Sequence, residues 1–535
     1  MQASMTDSLP TLTSERIFAL LSERFDQRFL SLKDLPHPSL FKDMEKAVGR
    51  ITAAIRQQET IVLIGDYDVD GVISTSIMKL FFASIDYPLV WIIPNRFRDG
   101  YGLSTTLIPR IKEADLIITV DNGISAVEAA NACRELGIDL IITDHHIVPE
   151  VVPEAYAIVN QKQKACHFPY AEVCGAQIAW YLCSALNQSL GSNIDMKGYL
   201  ELVSVAVIAD IMPLQHINRA MVQAGIKLLK QSQRPWIRAF KEQSHKDTLT
   251  SEDIAFFLAP LLNSAGRLED ASLAVDFVCS RTIYDARVHL EQLIVLNEQR
   301  KGLEQEITNE AIERADSSTK VIVVSSEGWH EGVVGIVAAR IARKFEKPAI
   351  VLNQTGTLCK GSGRSFNGCD LFSLVDTQRG ILEKFGGHSA AIGLSIRADR
   401  LEQFRQGLHT YAATHCSEER CVDPDILGLL PFACINFSLL GLIAQFEPFG
   451  EANSKPKFVT RNIEILAVQK MGKEGNHLRM TLREADTIHQ AVQFKTYEKY
   501  MPGERVDIVY TLSENHFRGT ATIQLMVERI IRSVS

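Results

Sequence analysis

Residues Ile61-Val-Leu-Ile-Gly-Asp66-Tyr-Asp68-Val-Asp70-Gly71 decide how this 535-residue chain is read. Four apolar residues run into Gly65 and then into three carboxylates at i, i+2 and i+4. An uninterrupted β-rich apolar run is the pattern of a strand buried on both faces. If the extended conformation continues beyond it, the carboxylates point to one side. Three like charges converging in a cleft are costly without compensating cations. Oxygen-rich clusters of this kind suit Mg²⁺ or Mn²⁺. Gly71 opens a helix whose N–H groups could also face a phosphate. The same residues also fit a polar strand-to-helix turn with an Asp N-cap.

Working outward, Val90–Ile93, Leu116–Val120 and Leu140–Thr143 repeat the apolar pattern, with helical stretches between them. This predicts an α/β domain with a parallel sheet. The third run ends in Asp121-Asn122-Gly123 and the fourth in Asp144-His145-His146. Ligands bind beyond the carboxyl ends of such strands. Asp66, Asp68, Asp70, Asp121, Asp144, His145 and His146 are therefore expected at one edge. Asp210 is the only charge in Leu202-Val-Ser-Val-Ala-Val-Ile-Ala-Asp210-Ile-Met-Pro, so it is either a buried, paired acid or a ligand. This set could hold two divalent ions of the kind that drives phosphoryl transfer. The absence of GxSxG and GxxxxGK[ST] disfavours acyl transfer and P-loop ATP hydrolysis.

The length predicts about three domains. Residues 1–57 read as an N-terminal helical segment, with Ile17, Leu20, Leu21 and then Met44, Val48, Ile51 and Ile55 at helical spacing around Pro36 and Pro38. The first α/β domain is placed at 58–281, largely helical from about Gly175. Residues 282–316 read as one connecting helix. A second α/β unit is placed at 317–417, with a strand at Val321–Ser325, a helix near Glu331–Lys344 and a strand at Ala349–Leu352. Residues 418–535 hold short alternating strands that suggest a small OB-like barrel. From Lys455 to Ser535 the net charge is +4, while the whole chain carries −8. A basic barrel beside an acidic body fits a nucleic-acid module, and equally a solvated barrel surface. The overall negative charge argues against a protein that coats duplex nonspecifically.

No apolar run reaches the ~18–20 residues that span a bilayer, and MQASMTDSLP lacks the pattern of a secretory signal. The ten cysteines are scattered without a CxxC pair and read as buried thiols of a reducing compartment. The expectation is a cytoplasmic protein with no membrane partner.

GDYDVDG, VDNG, TDHH and the isolated Asp210 together resemble the four motifs of the DHH phosphoesterase superfamily. Phe385-Gly-Gly-His388-Ser-Ala-Ala391 and Ser326-Glu-Gly-Trp-His330-Glu-Gly-Val-Val-Gly335 are similar to segments of its DHH-associated second domain. Phe446-Glu-Pro-Phe-Gly450-Glu-Ala-Asn453, followed by a basic barrel, resembles the superfamily's bacterial single-strand-specific 5′→3′ DNA exonucleases. That family usually has Gly before this Asn and Pro after it, where this chain has Ala452 and Ser454.

The resemblance covers about residues 45–530. It implies two α/β domains joined by a long helix, with an OB-like barrel. It also implies two Mn²⁺ or Mg²⁺ ions held by Asp68, Asp70, Asp121, His145 and Asp210. Asp66 takes the first motif position, where many relatives have His. His146 lies against the metals or the scissile phosphate, and His388 completes the cleft. Arg96, Arg267, Ser362 and Arg364 contact substrate phosphate, which suits the bidentate geometry of guanidinium. The implied activity releases nucleoside 5′-monophosphates from the 5′ end of single-stranded DNA, in repair and recombination. Single-strand-binding protein and a DNA helicase are the implied partners. The rival readings are a phosphoesterase of short oligonucleotides or cyclic dinucleotides, and a non-catalytic scaffold.

Overall fold

The computed structural model describes residues 9–25, 30–415, 423–472, 475–494, 496, 498–517 and 520–532. The Ile61–Ile64 run is β1 of an all-parallel sheet with β2 (Val90–Ile92), β3 (Leu116–Val120), β4 (Asp139–Thr143) and β5 (Ala157–Val159), in the order β2-β1-β3-β4-β5. Strand alternation sorts its apolar side chains between two cores. Ile61, Leu63, Leu116, Ile118 and Val120 face one core, with the helices Met44–Gln57, Val69–Ser84, Gly175–Leu190 and Leu200–Ala209. Val62, Ile64, Ile117, Leu140 and Ile142 face the other, with Leu103, Leu107, Ile111 and Cys133. Covering both faces explains why these strands carry no polar alternation. The chain leaves β1 for β2 on one side and returns to β3 on the other, so the sheet reverses direction at β1/β3. Such a switch point opens a crevice at the carboxyl ends of the strands.

A single helix, Ile283–Arg314, leads to the second domain. Its buried Glu304 joins Arg300 of the same helix (Nη1–Oε2 2.5 Å) to Arg340 of the helix Val334–Phe345. The second sheet runs β6 (Ile322–Glu327), β7 (Ala349–Thr355), β8 (Leu358–Arg364), β10 (Ala391–Arg397) and β9 (Leu382–His388), with only β6 and β7 parallel.

The third sheet orders β11 (Ile426–Leu429), β12 (Lys457–Met471), β13 (His477–Glu484), β14 (Thr487–Gln493), β16 (Thr520–Arg532) and β15 (Arg505–Phe517). β15 also pairs with β12, which closes a five-stranded barrel of OB type.

The expected N-terminal segment 1–57 is divided between two cores. Leu12, Ile17 and Leu21 pack in the barrel core with Leu430, Phe432 and Phe446, whereas Met44, Ala47 and Ile51 belong to the first domain. Residues 10–12 pair with Leu429 as an added edge of the barrel sheet. Helical spacing shows that a face is apolar, but not which core receives it. The cysteines also depart from expectation, since Cys434 is exposed and Cys369 is disulfide-bonded. Among the described residues no helix is long and apolar enough to cross a membrane.

The barrel is tied to the first domain through the 445–453 segment. Leu214 N–H donates to Glu451 O at 2.8 Å, Arg219 Nη2 to Glu447 O at 3.1 Å and Ser251 Oγ to Phe449 O at 2.8 Å. Buried Asn453 holds the turn shut by donating Nδ2 to Phe446 O and Pro448 O, both at 2.8 Å. Ala452, at the position where the resemblance implies glycine, has φ +56°. A left-handed L-residue costs ~1–2 kcal/mol, and glycine's extra chain entropy returns ~0.5–1 kcal/mol of that. Ala452→Gly is therefore expected to stabilise the protein by about 0.5 kcal/mol, read as a higher urea midpoint at unchanged m-value.

Candidate active site

The site is assembled at the carboxyl edge of the first sheet. Asp66 follows β1, Asp121 follows β3, and Asp144, His145 and His146 follow β4. Asp210 caps the C-terminal end of the helix Leu200–Ala209. Asn122 fixes the β1/β3 end: its Nδ2 donates to Ile64 O at 3.0 Å and Val120 O at 2.9 Å, and its Oδ1 accepts from Leu103 N–H at 3.0 Å. Asp121 has φ +63°, a backbone conformation costly for a non-glycine residue. The helix Gly175–Leu190 starts against it, and a Cβ on Gly175 would lie 2.6 Å from the Asp121 Cβ.

The three carboxylates of GDYDVDG are not simply aligned by strand alternation. The helix Val69–Ser84 begins at once, so Asp68 is its N-cap, accepting from Gly71 N–H at 3.1 Å, and Asp70 lies in its first turn. Both readings of the motif therefore hold together: the turn has its cap and the carboxylates converge. Asp70 reaches across to the Gly175–Leu190 helix, where Oδ2 accepts from Gly175 N–H at 2.6 Å and Oδ1 from Ala176 N–H at 2.8 Å. These two bonds leave it one lone pair per oxygen for other partners.

Three overlapping groups place ligand atoms within 4.8 Å of one another: Asp66, Asp68 and Asp121; Asp70, His145 and Asp210; and Asp121, His145 and His146. Opposite ligands of one Mg²⁺ lie ~4.2 Å apart, so this spacing suits divalent ions. His145 Nε2 stands 3.1 Å from Asp121 Oδ1 and 3.7 Å from both Asp70 Oδ2 and Asp210 Oδ2. Asp66 Oδ1, Asp121 Oδ1 and Asp210 Oδ2 are buried with no hydrogen-bond donor aligned to them. Oxygen atoms buried without donors are what a bound cation requires, so the residues fit one.

The electrostatics agree. Burial, then the Asp68 charge, holds the Asp66 carboxyl well above its usual range. Burial, then Asp70 and Asp68, does the same to Asp121 and pushes Asp210 up to about 9. Asp210 also faces the negative end of its own helix. Burial pushes His145 down, which keeps the ring neutral and able to ligate. His146 goes the other way. Burial opposes its charge, but the Asp144 hydrogen bond (Nδ1···Oδ1 2.7 Å) and the Asp144, Asp66 and Asp68 charges outweigh that and push it up to about 9.

Asp144 was placed at the sheet edge by the sequence, without a role. It orients His146 and accepts from Ile124 N–H at 2.9 Å, and it belongs to none of the three ligand groups. Tyr101, which sequence reasoning missed, donates to Asp121 O at 3.4 Å and lies 3.5 Å from His146 Nε2. Its only signal was its place in the loop that also carries Arg96.

Arg96, Arg267, Ser362 and Arg364, distant in sequence, line one cavity of about 230 Å³ between the two α/β domains, with Asp68, Tyr67, Asn263, Gly332 and Gly335. Arg267 spans the domain boundary, donating Nη1 to Gly332 O at 3.0 Å. Burial, then Arg96, Arg300 and Arg364, pushes it down to about 10, so it stays charged at neutral pH. Arg96 lies 4.7 Å above the Tyr67 ring. Among the described residues none of Arg96, Arg267 and Arg364 has a carboxylate within ion-pair distance, and Glu331, which also lines the cavity, pairs with Lys360. Three guanidinium groups with no carboxylate partner make an anion site. His388 is not brought to it. That residue is exposed at the end of β9, its Nδ1 accepting from Ala390 N–H at 3.3 Å, and it does not line the cavity.

The first domain matches the DHH family, N-terminal domain, over residues 60–207, and the second matches the DHHA1 domain over 318–414. Sheet, carboxylate edge and partner domain thus define a DHH protein. The barrel matches the RecJ OB domain over 428–529. The chain is 32% identical over 566 residues to the single-stranded-DNA-specific exonuclease RecJ of Dickeya dadantii, covering 99% of this chain and 97% of that one. It is 35% identical over 515 residues to the RecJ of Bacillus subtilis, covering 94% of this chain but only 65% of that longer relative. The crystal structure of Thermus thermophilus RecJ with Mn²⁺ superposes with a TM-score of 0.81 at 25% identity, covering 98% of this chain and 79% of that one. The chain belongs to the RecJ family.

Carboxyls held high when folded favour the fold at low pH, and that contribution is lost as pH rises through their folded values. His146, raised to about 9, has the same sign. The metal-free protein is therefore expected to lose stability as pH rises from about 4, the ordinary carboxyl value, to about 9. Mn²⁺ should raise the urea midpoint more at pH 8.5 than at pH 6, because it binds the deprotonated ligands. Urea titrations with and without chelator test this.

Proposed function

We propose that this chain removes nucleotides one at a time from the 5′ end of single-stranded DNA, releasing nucleoside 5′-monophosphates during repair and recombination. The observation that carries the reading is the arginine-lined cavity beside the carboxylate cluster. At about 230 Å³, ringed by guanidinium groups without carboxylate partners, it has room for a terminal phosphate group. A strand anchored there by its end offers its first internal linkage to the Asp66–Asp68–Asp121 edge, which is exonucleolytic geometry.

Arg267 and Arg364 grip the terminal phosphate, with Arg96 and Ser362 completing the ring of donors. Asp66, Asp68 and Asp121 would hold one divalent ion, and Asp70, His145 and Asp210 a second. Two Mn²⁺ or Mg²⁺ ions there supply the Lewis acidity that activates water and steadies the leaving 3′ oxygen. His146, kept protonated by Asp144, faces the developing negative charge and can donate a proton to it. Asn122 and the Gly175–Leu190 helix N-terminus hold the ligands in place before substrate arrives. The barrel binds the strand further along by backbone charge and stacking, which a small-substrate phosphoesterase would not need. Single-strand-binding protein and a DNA helicase are proposed as partners, since both present single strands.

Three variants test the reading on a 5′-labelled single strand with Mn²⁺. Asp121→Ala should abolish release of labelled mononucleotide, as chelator does. Arg267→Ala should raise KM by about 10–100-fold, the worth of a charge-assisted phosphate contact. Asp144→Asn should lower kcat far more than it changes KM, and shift the alkaline limb of the pH profile towards the ordinary histidine range near 6.5. First release of a 3′ label would overturn the polarity, and rapid digestion of blunt duplex would overturn the strand selectivity.

A further inference from the structure

One feature of the first domain is not used by the chemistry above. Phe256 and Phe257 are 73% and 59% exposed, side by side on the surface of an otherwise well-packed helical region. They lie in Ile254–Leu258, a π-helical turn in which Ala259 N–H bonds back to Ile254 O. The sequence requires such a turn. Pro260 has no N–H for the carbonyl of Phe256, four residues back, and its ring would clash there in a regular helix. Widening the turn relieves the clash and carries both phenyl rings outward. Single π turns of this kind concentrate at functional sites.

The turn continues into the helix Ala259–Leu268, which passes so close to the catalytic loop that a Cβ on Gly266 would lie 2.2 Å from Tyr67 O. From Phe256 onward, every residue of this run that is not buried falls at Phe256, Phe257, Pro260, Asn263, Arg267 or Leu268. Phe256, Pro260, Asn263 and Arg267 recur at intervals of three and four, so they form one open stripe. Asn263 and Arg267 line the phosphate cavity. At 1.5 Å per residue the stripe runs about 16 Å from Arg267 to Phe256, a length of a few nucleotides. Its far end packs against the helix Leu200–Ala209, which ends in Asp210, and lies next to Ser251, which bonds to the barrel-side Phe449. The stripe therefore connects cavity, carboxylate edge and barrel attachment.

We propose that Phe256 is a base-stacking platform for the single strand as it passes between the active site and the barrel. Phe257 supports it. The Lys246 ammonium lies 5.3 Å from the Phe257 ring centre and is itself held by Asp253, which steadies that ring and leaves Phe256 the more open of the two. Stacking on phenyl is indifferent to base identity and requires a base face freed from its neighbours. The contact would add selectivity for single strands to any steric exclusion. The proposal rests on the exonuclease reading and extends it by one specificity-determining residue.

The test uses the full chain with Phe256→Ala and Phe256→Trp. Binding is read by fluorescence anisotropy in Ca²⁺, and turnover with Mn²⁺. Single strands carry one abasic nucleotide walked along the first eight positions from the 5′ phosphate. Phe256→Ala should bind an intact strand about tenfold more weakly, while Phe256→Trp stays close to the unmodified protein. In the unmodified protein one abasic position near the 5′ end should cost a similar factor, and in Phe256→Ala that same position should cost nothing further. Equal abasic penalties in both proteins, or unchanged binding by Phe256→Ala, would overturn the platform and leave the pair as a contact for another protein. If the unmodified protein binds strands but releases no mononucleotide, the exonuclease reading fails, while the abasic walk in the binding assay still decides the stack.

Discussion

Mutual repulsion among five carboxylates is the constraint around which the first domain is arranged. Asp66, Asp68, Asp70, Asp121 and Asp210 meet at one edge, several of them buried. The fold offsets part of the cost with fixed dipoles: Asp68 and Asp70 sit at the positive end of one helix, and Asp70 accepts two N–H bonds from the start of another. His146 contributes a positive charge that Asp144 maintains. The rest is left for cations. Local details follow from this requirement, including a glycine at position 175, where a side chain would collide with Asp121, and the strained backbone of Asp121 itself.

The boundary between the two α/β domains presents the opposite problem in mirror form. Arg267 and Arg364 are largely buried and, with Arg96, line one cavity; burial disfavours the charge of both buried groups, and the neighbouring arginines add to this at Arg267. Each cluster would be stabilised by an oppositely charged guest. Asp68 lines the arginine cavity, so the two regions share a wall, and a phosphodiester can satisfy both at once. The linking helix matters here because its Arg300–Glu304–Arg340 chain ties the second domain's helix to the first domain's scaffold. That tie helps fix the separation between cavity and carboxylates.

Much of this was legible in the sequence, for identifiable reasons. Buried parallel strands announce themselves as short apolar runs, and their polar ends fall where a parallel sheet gathers them, so Asp66, Asp121, His145 and His146 were placed together correctly. Asp70 was harder. Alternation along a strand predicts where it points only while the chain stays extended, and the helix begins one residue earlier. Arg96, Arg267, Ser362 and Arg364 were named through family resemblance alone, since no local pattern reveals that residues from separate domains will line one cavity. His388 shows the limit of that route: the motif is present, yet the side chain stands exposed at a strand end. The π turn was missed because Phe256-Phe257 before a proline reads as ordinary core.

The sharing of the barrel core with residues 9–25 has a consequence for how the molecule is made. Leu12, Ile17 and Leu21 leave the ribosome early, but Leu430, Phe432 and the barrel strands they pack against emerge roughly 400 residues later. At ~5–20 residues per second, that interval is on the order of a minute. Throughout it, residues 9–25 lack the barrel partners they pack against while both α/β domains emerge. The barrel is therefore not an appendage added to a finished enzyme. It is the clasp that joins residues 9–25 to a segment about 400 residues further along, across both α/β domains.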